Sequence, residues 1–277
     1  MSGIRVDRKP FGVVVTMIMT YHFVFLHLPK TGGTFVSEVL HEVYATRPTW
    51  WSTCVSLFRK GHHFRTRYGS FVHCHPWHGT REEIPPGYRD RPLLSCLRPP
   101  LERYVSIYEF GWWKRPELLN GYRKNVEHFE TRFPTFPNLS FRDFLHLLHE
   151  CRVPQPWRHF EDPDCPGLHT WQTLRQLARK PHDWTKTPSP SFEQIVAELR
   201  DIHFLKTESL NEDLFDFLAE KGLSDLAFIR KKPRVLPGGR GRNPNSDWES
   251  YYDPQLKTLM ETKDRGLIEF YSELKAS

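Results

Sequence analysis

Short apolar runs alternate with segments of helical periodicity along much of this chain. Tyr21–Leu28 mixes β-branched and aromatic residues over the length of a strand, and Pro29 cannot continue a central ladder. A glycine pair follows, and after it the apolar residues fall on one helical stripe, at Val36, Val39, Leu40 and Val43. The pattern predicts a buried strand, a tight loop and a helix.

Two later segments repeat this arrangement. Leu93–Leu97 is a short apolar run that Pro99 and Pro100 stop, and helical spacing resumes at Leu101, Tyr104, Val105 and Tyr108. Ser191 is placed to cap a third helix with Gln194 at the capping-box position, and Ile202–Leu205 follows as a strand. Strands that alternate with helices predict an α/β fold, with a P-loop-like parallel sheet flanked by helices on both faces.

The rest of the chain is less regular. Gly111–Pro190 is rich in Pro, Trp, Arg and His, and predicts an irregular insertion with helices only near "FRDFLHLLHE" and "TWQTLRQLARK". Such an insertion either shapes an acceptor site or decorates the surface. The tail "DPQLKTLMETKDRGLIEFYSEL" predicts one amphipathic helix packed on the core. With 277 residues, we expect a single domain over residues 1–277.

Charge and cysteine content narrow the function classes only slightly. The formal net charge of +6 favours anionic partners, but it also fits an ordinary solvated surface. Five irregularly spaced cysteines argue against a disulfide framework and favour a reduced compartment. The apolar run Phe11–Met19 is too short to span a bilayer. We therefore expect a cytoplasmic protein with no membrane span.

The loop after the first predicted strand has the composition of an anion site. Backbone N–H groups at a helix N-terminus attract phosphate, and Gly32 and Gly33 let the backbone approach it closely. Thr34 adds a hydroxyl and Lys30 adds a positive charge. Lys30 precedes the glycines, whereas the Walker A lysine follows them, so this is not a Walker A loop. A plain strand-to-helix turn is the simpler alternative.

Two segments resemble one family in the expected order. The first signature, "HLPKTGGT" at His27–Thr34, is similar to the 5′-phosphosulfate loop of sulfotransferases that use 3′-phosphoadenosine 5′-phosphosulfate (PAPS), in the form found in carbohydrate sulfotransferases. The second signature, "CLRPPLERYVSIYEF" at Cys96–Phe110, resembles that family's R-x-P-x-x-R-x-x-S-x-Y segment. Pro99 stands where many relatives carry Asp.

The resemblance implies roles for particular residues. Lys30 would contact the bridging oxygen between phosphate and sulfate, and Arg98 and Ser106 would hold the 3′-phosphate. The residues implied to cradle the 5′-phosphate are Thr31, Gly32, Gly33 and Thr34. No metal is required, because lysine and backbone dipoles can neutralise the departing phosphate.

The histidines of "SFVHCHPWHG" offer a general base. Uronosyl 2-O-sulfotransferases have an H-x-H segment at this place, and the resemblance points to His75, the second histidine of "HCH". Two other interpretations stay open. His73, Cys74, His75 or His78 could form a zinc site with Cys54 or His62, although neighbouring side chains of a strand point to opposite faces. They could also be structural.

A basic, glycine-containing stretch, "RKKPRVLPGGRGR", follows the last predicted strand and helix. In the family, a loop of this kind covers the nucleotide, which implies that Arg240 and Gly241 bind PAPS. A solvated loop and a nucleic-acid contact are the alternatives.

The resemblance therefore implies an enzyme that transfers the sulfuryl group of PAPS to an acceptor hydroxyl by in-line displacement. The form of the first signature and the H-x-H segment favour a carbohydrate acceptor, with a phenolic or lipid small molecule as the alternative. We expect no nucleic-acid partner. A nucleotide-dependent kinase and a non-catalytic module that binds polyanions are rival hypotheses.

Overall fold

The computed structural model describes residues 17–45, 62–74, 79–115, 129–152, 160–180, 189–234 and 247–276. Its centre is a six-stranded sheet with the spatial order β3-β4-β1-β2-β5-β6. The strands are β1 (Met17–Thr20), β2 (Val24–Leu26), β3 (His62–Thr66), β4 (Gly69–Cys74), β5 (Leu93–Leu97) and β6 (Ile202–Lys206).

The prediction of a parallel sheet is correct for only half of these strands. Strands β2, β5 and β6 are parallel, whereas β1 pairs antiparallel with β2 and β4, and β3 pairs antiparallel with β4. The cause is a tight turn between β1 and β2, in which the Thr20 amide donates to the Phe23 carbonyl over 2.9 Å. A turn this short can join only antiparallel neighbours. It also takes up Tyr21 and His22, so β2 is shorter than the predicted strand.

Helices cover both faces of the sheet, as predicted. They are α1 (Gly33–Val43), α2 (Pro100–Phe110), α3 (Phe141–Arg152), α4 (Leu168–Leu177), α5 (Phe192–Leu199), α6 (Leu210–Glu220), α7 (Phe228–Lys231), α8 (Pro254–Lys263) and α9 (Arg265–Ala276). Alternate residues along each strand enter two separate cores. On one face Phe25 and Leu94 pack with α1 and α6, and on the other Val24 and Leu93 pack with α4, α5 and α9.

The insertion builds a third, aromatic core against α2. Trp112 and Trp113 are both buried in it, and the Trp113 indole donates to the Pro137 carbonyl over 2.9 Å. The predicted helices of the insertion are confirmed as α3 and α4. Because this tryptophan pair is buried, it supports the fold and leaves no flat aromatic face for an acceptor.

The predicted C-terminal helix is wrong in one respect, because it is two helices. Helix α8 ends at Lys263 and α9 begins at Arg265. Between them, the buried Asp264 carboxylate accepts hydrogen bonds from the Tyr104 hydroxyl (2.7 Å) and from the amide and hydroxyl of Thr170 (2.8 and 2.7 Å). These long-range bonds fix the break, and the burial raises the pKa of Asp264.

Two local predictions are confirmed in detail. The strand Leu93–Leu97 has the predicted bounds, and helix α2 begins at the proline that follows it. Ser191 and Gln194 form the predicted capping box, in which the Ser191 amide donates to Gln194 Oε1 over 2.9 Å. Within the described ranges, no helix is both long and apolar enough to cross a membrane.

Candidate functional site

Three loops meet where the parallel strands end. Register pairs Leu26 of β2 with Ser95 of β5, and Leu97 of β5 with Lys206 of β6, so all three carboxyl ends lie at one edge of the sheet. We call this the carboxyl edge, formed by residues 29–32, 98–99 and 207–209. Ligands of open α/β sheets bind at such an edge, because helix N-termini converge there.

The loop after β2 has an unusual backbone. Lys30 adopts φ 62° and Gly32 adopts φ 92°, both in the left-handed region. The buried Thr31 side chain closes the turn, because its hydroxyl donates to the Leu28 carbonyl over 2.8 Å. Gly32 is the N-cap of α1, whose first turn contains no acidic residue. The predicted strand, loop and helix are therefore present, with helix amides available at the N-terminus of α1.

The glycines of this loop are required by packing. A Cβ on Gly33 would lie 1.9 Å from the His27 ring, and one on Gly32 would lie 2.6 Å from Leu210. Gly32 also needs its positive φ, which favours glycine. Close approach to an anion is one reason for the glycine pair. The second is contact of the loop with His27, which follows β2, and with Leu210, the first residue of α6.

Lys30 lies in a strongly positive environment. Its ammonium is 3.9 Å from the centre of the Phe110 ring, a cation–π contact. Burial lowers the pKa of Lys30 to about 8, and repulsion by Arg98 and Arg115 adds to this effect, while Glu109 opposes it. An anion bound here would relieve that repulsion and raise the pKa of Lys30. The arrangement fits an anion site.

Arg98 follows β5 directly, and it is half-buried near Lys30. One of its terminal nitrogens lies 3.5 Å from the Glu102 carboxylate on the first turn of α2. Pro99 is the N-cap of α2, and its carbonyl accepts from the Arg103 amide over 3.0 Å. Proline in place of the family's aspartate is thus compatible with a regular helix start. Arg98 lies near enough to Lys30 for its charge to help lower the pKa of Lys30.

Ser106 lies on the face of α2 that meets the loop. Arg103, Ser106 and Phe110 occupy positions i, i+3 and i+7, which share one side of a helix. Arg103 contacts the Pro29 carbonyl and Phe110 contacts the Lys30 ammonium. Ser106 stands between them along the helix and is half-buried, as is Thr34 on the first turn of α1.

Sequence reasoning missed three residues of this site. The Arg115 guanidinium carbon lies 4.6 Å from the centre of the Phe110 ring, so Arg115 and Lys30 share that ring. Arg103 is buried beneath the loop. A signal existed only for Arg103, which is the second arginine of the R-x-P-x-x-R pattern. Phe110 and Arg115 could be found only once the chain was folded.

Some predicted site residues lie outside the described residues. These are His75, His78, Arg240 and Gly241. His73 is described: it lies on β4, is buried, and its ring centre is 5.3 Å from that of His41 on α1. Among the described residues, no group of three or more His, Cys, Asp or Glu could hold a metal ion. The choice of base therefore stays a prediction.

The basic stretch enters at the carboxyl edge. Within the basic stretch, the described residues end at Arg234. The Arg234 guanidinium donates to Asn211 Oδ1 over 2.7 Å and to the Glu208 carbonyl over 3.1 Å. It also donates to the Thr207 carbonyl. A Cβ added to Gly32 would lie 3.9 Å from the Thr207 side chain and 2.6 Å from the Leu210 side chain. The described part of the basic stretch, residues 230–234, is therefore held beside the first signature.

Comparisons with known proteins place the chain in no family: no family model, no curated protein and no solved structure matches it. The resemblance to sulfotransferases therefore depends on the two signatures alone. Function has to be inferred from the side chains at the carboxyl edge and from their geometry.

Proposed function

We propose that this chain is a PAPS-dependent sulfotransferase that transfers a sulfuryl group to an acceptor hydroxyl, with a carbohydrate as the favoured acceptor. The 5′-phosphosulfate would be held by Lys30 and the loop Thr31–Thr34, and the 3′-phosphate by Arg98 and Ser106. The proposal includes no metal requirement, no nucleic-acid partner and a cytoplasmic location.

One observation carries the proposal, which is the meeting of Lys30 and Arg98 at the ends of neighbouring parallel strands. Burial is the main cause of the lowered pKa of Lys30, and repulsion by Arg98 and then Arg115 adds to it. Cations that lie this close together are stabilised by a bound polyanion. A donor with separate 5′ and 3′ anionic groups suits two such positions, at the loop after β2 and at the start of α2.

The side chains can perform distinct parts of the transfer. The acceptor oxygen forms a bond to sulfur while the bond from sulfur to the bridging oxygen breaks, so negative charge collects on the departing phosphate. The Lys30 ammonium would stabilise that oxygen, and the amides at the start of α1 would add their dipoles. His75 is the proposed base that takes the proton of the acceptor hydroxyl.

Calorimetry with 3′,5′-ADP, 5′-AMP and ATP tests the nucleotide site. We expect the wild-type chain to prefer 3′,5′-ADP, and Arg98→Ala to lose roughly 10- to 100-fold in that affinity, the range for a hydrogen bond between charged groups. Arg91→Ala is the matched control, because Arg91 precedes β5 at the opposite edge, 4.8 Å from the Tyr21 ring centre, and it should bind normally. Equal affinity for 3′,5′-ADP and 5′-AMP would overturn the proposal.

The same measurement separates the rival hypotheses. A kinase or NTPase predicts a preference for ATP with Mg²⁺. A polyanion-binding module predicts salt-sensitive binding to heparin that survives Lys30→Ala, with no nucleotide selectivity.

Transfer of labelled sulfate from PAPS to a panel of sugars, phenols and lipid alcohols then tests the reaction itself. We expect a carbohydrate to be labelled and His75→Ala to lose most of the rate. If His75→Ala keeps the full rate on that acceptor, the assignment of the base is wrong.

A further inference from the structure

Arg103 is a buried charge that has no place in the binding roles described above. It is 1% exposed, and its Nε donates to the Pro29 carbonyl over 2.8 Å. Its Nη2 donates to Gln172 Oε1 on α4, also over 2.8 Å. Burying a guanidinium is costly unless its donors are satisfied. Arg103 lies under the first signature, and packing alone does not explain why a charged side chain is buried there.

The contact with Pro29 acts on the backbone of the next residue. The Pro29 carbonyl belongs to the peptide unit that joins Pro29 to Lys30, and Lys30 has the left-handed φ of 62° that non-glycine residues seldom adopt. The Leu28 carbonyl, one peptide unit earlier, is held by the Thr31 hydroxyl. Two successive peptide units are thus fixed by side chains before the chain reaches Lys30. Such a backbone persists only when its surroundings hold it.

The same helix also holds the Lys30 side chain. Phe110 lies seven residues after Arg103 on the same face of α2, and its ring contacts the Lys30 ammonium. Helix α2 therefore contacts the loop at two points, through the Arg103 bond to the Pro29 carbonyl and through the Phe110 ring at the Lys30 ammonium. Arg98 and Ser106, the proposed ligands of the 3′-phosphate, belong to the same segment. The second signature therefore holds the loop of the first signature through direct contacts of α2.

We propose that Arg103 is a positioning residue that fixes the backbone of Lys30 and so sets where its ammonium stands relative to Arg98 and Arg115. The role in transfer rests on the proposed function, but the positioning itself does not. Lys30 touches the reacting group in the proposed reaction, whereas Arg103 acts only through Lys30. Without the Arg103 bond to the Pro29 carbonyl, the loop relaxes and the Lys30 ammonium moves toward solvent.

The titration of Lys30 reports its position directly. Brief acetylation of the full chain over a range of pH, followed by mass spectrometry of the peptide that contains Lys30, gives the pKa of this amine alone. In the wild-type chain the midpoint should lie near pH 8. Arg103→Lys keeps the charge but not the two-point contact, and we expect a higher midpoint. A rise of one pH unit lowers the unprotonated fraction at pH 8 roughly fivefold.

Two further variants make the result decisive. Arg81→Lys is the matched control, because Arg81 binds the Asp201 carboxylate through both terminal nitrogens (3.1 and 2.5 Å) and belongs to no part of the carboxyl edge. It should leave Lys30 unchanged. If Arg103→Lys does not fold, Gln172→Leu removes the second contact of Arg103 while keeping the arginine, and it should raise the midpoint in the same direction.

The outcomes are distinguishable from failure of the proposed function. An unchanged Lys30 midpoint in both Arg103→Lys and Gln172→Leu overturns the positioning role, whether or not the chain binds 3′,5′-ADP. A raised midpoint supports positioning even if the nucleotide test fails. Where transfer is detected, Arg103→Lys should lower the rate at saturating PAPS on the order of 10- to 100-fold, and Arg81→Lys should not. Full activity of Arg103→Lys refutes the role of Arg103 in transfer.

Discussion

Replacing Lys30 by methionine should stabilise the chain in the absence of nucleotide. Lys30 has an ordinary pKa of 10.5 and one of about 8 in the folded chain, a difference of 10.5 − 8 = 2.5. At about 1.4 kcal/mol per pH unit, the charged form costs at most about 3.5 kcal/mol of folding free energy. The side chain is partly exposed, so solvent screening reduces the cost to roughly 1–2 kcal/mol. The uncharged methionine side chain avoids this cost and still packs on the Phe110 ring.

The sign of the pH dependence follows from the lowered pKa. Below pH 8 Lys30 is charged in the folded and in the unfolded chain, so the full cost is present. Between pH 8 and pH 10.5 the folded chain loses its proton first, and the cost falls. Above pH 10.5 Lys30 is neutral in both states and the cost is gone. The advantage of Lys30→Met should therefore be largest near pH 7 and should shrink as the pH rises.

Urea unfolding of both chains at pH 7, 8.5 and 10 measures this difference. Lys257→Met is the control, because the exposed Lys257 ammonium donates to Glu249 over 2.9 Å and this bond raises its pKa. Its removal should give no stabilisation. A Lys30→Met chain that is less stable than wild type at pH 7, or a difference that does not shrink with pH, would refute the electrostatic account. Saturating 3′,5′-ADP should reverse the order, because a ligand at about 100 times its Kd adds roughly 2.7 kcal/mol to wild type.

Two further substitutions test the packing and capping of elements around the site. Gly33→Ala places a Cβ against the His27 ring and should cost roughly 1–3 kcal/mol in urea unfolding, whereas Gly87→Ala, which meets no atom within 4 Å, should be nearly neutral; equal effects would contradict the packing argument. Ser191→Ala removes the N-cap of α5, whose hydroxyl accepts from the Gln194 amide, and should lower the unfolding free energy by about 1 kcal/mol. No change in the midpoint would show that the cap is dispensable.

Sequence pattern was a good guide wherever neighbours along the chain decide the structure. The strand at Leu93–Leu97, the proline start of α2 and the capping box at Ser191 all depend on residues within a few positions of one another. The sequence pattern failed where residues that are far apart in the chain determine the structure. The β1–β2 and β3–β4 hairpins make their strand pairs antiparallel, and Asp264 divides the last helix through bonds to Tyr104 and Thr170.

The sequence alone determined that a lysine and two glycines follow a strand and open a helix, because strand length, helical periodicity and proline stops are local properties. Only the tertiary structure decided what stands around that lysine. Arg98, Phe110 and Arg115 reach Lys30 because β2 and β5 are parallel neighbours and α2 folds back over the loop. Charge repulsion and burial act through space, so the lowered pKa of Lys30 appears only when the strands have paired.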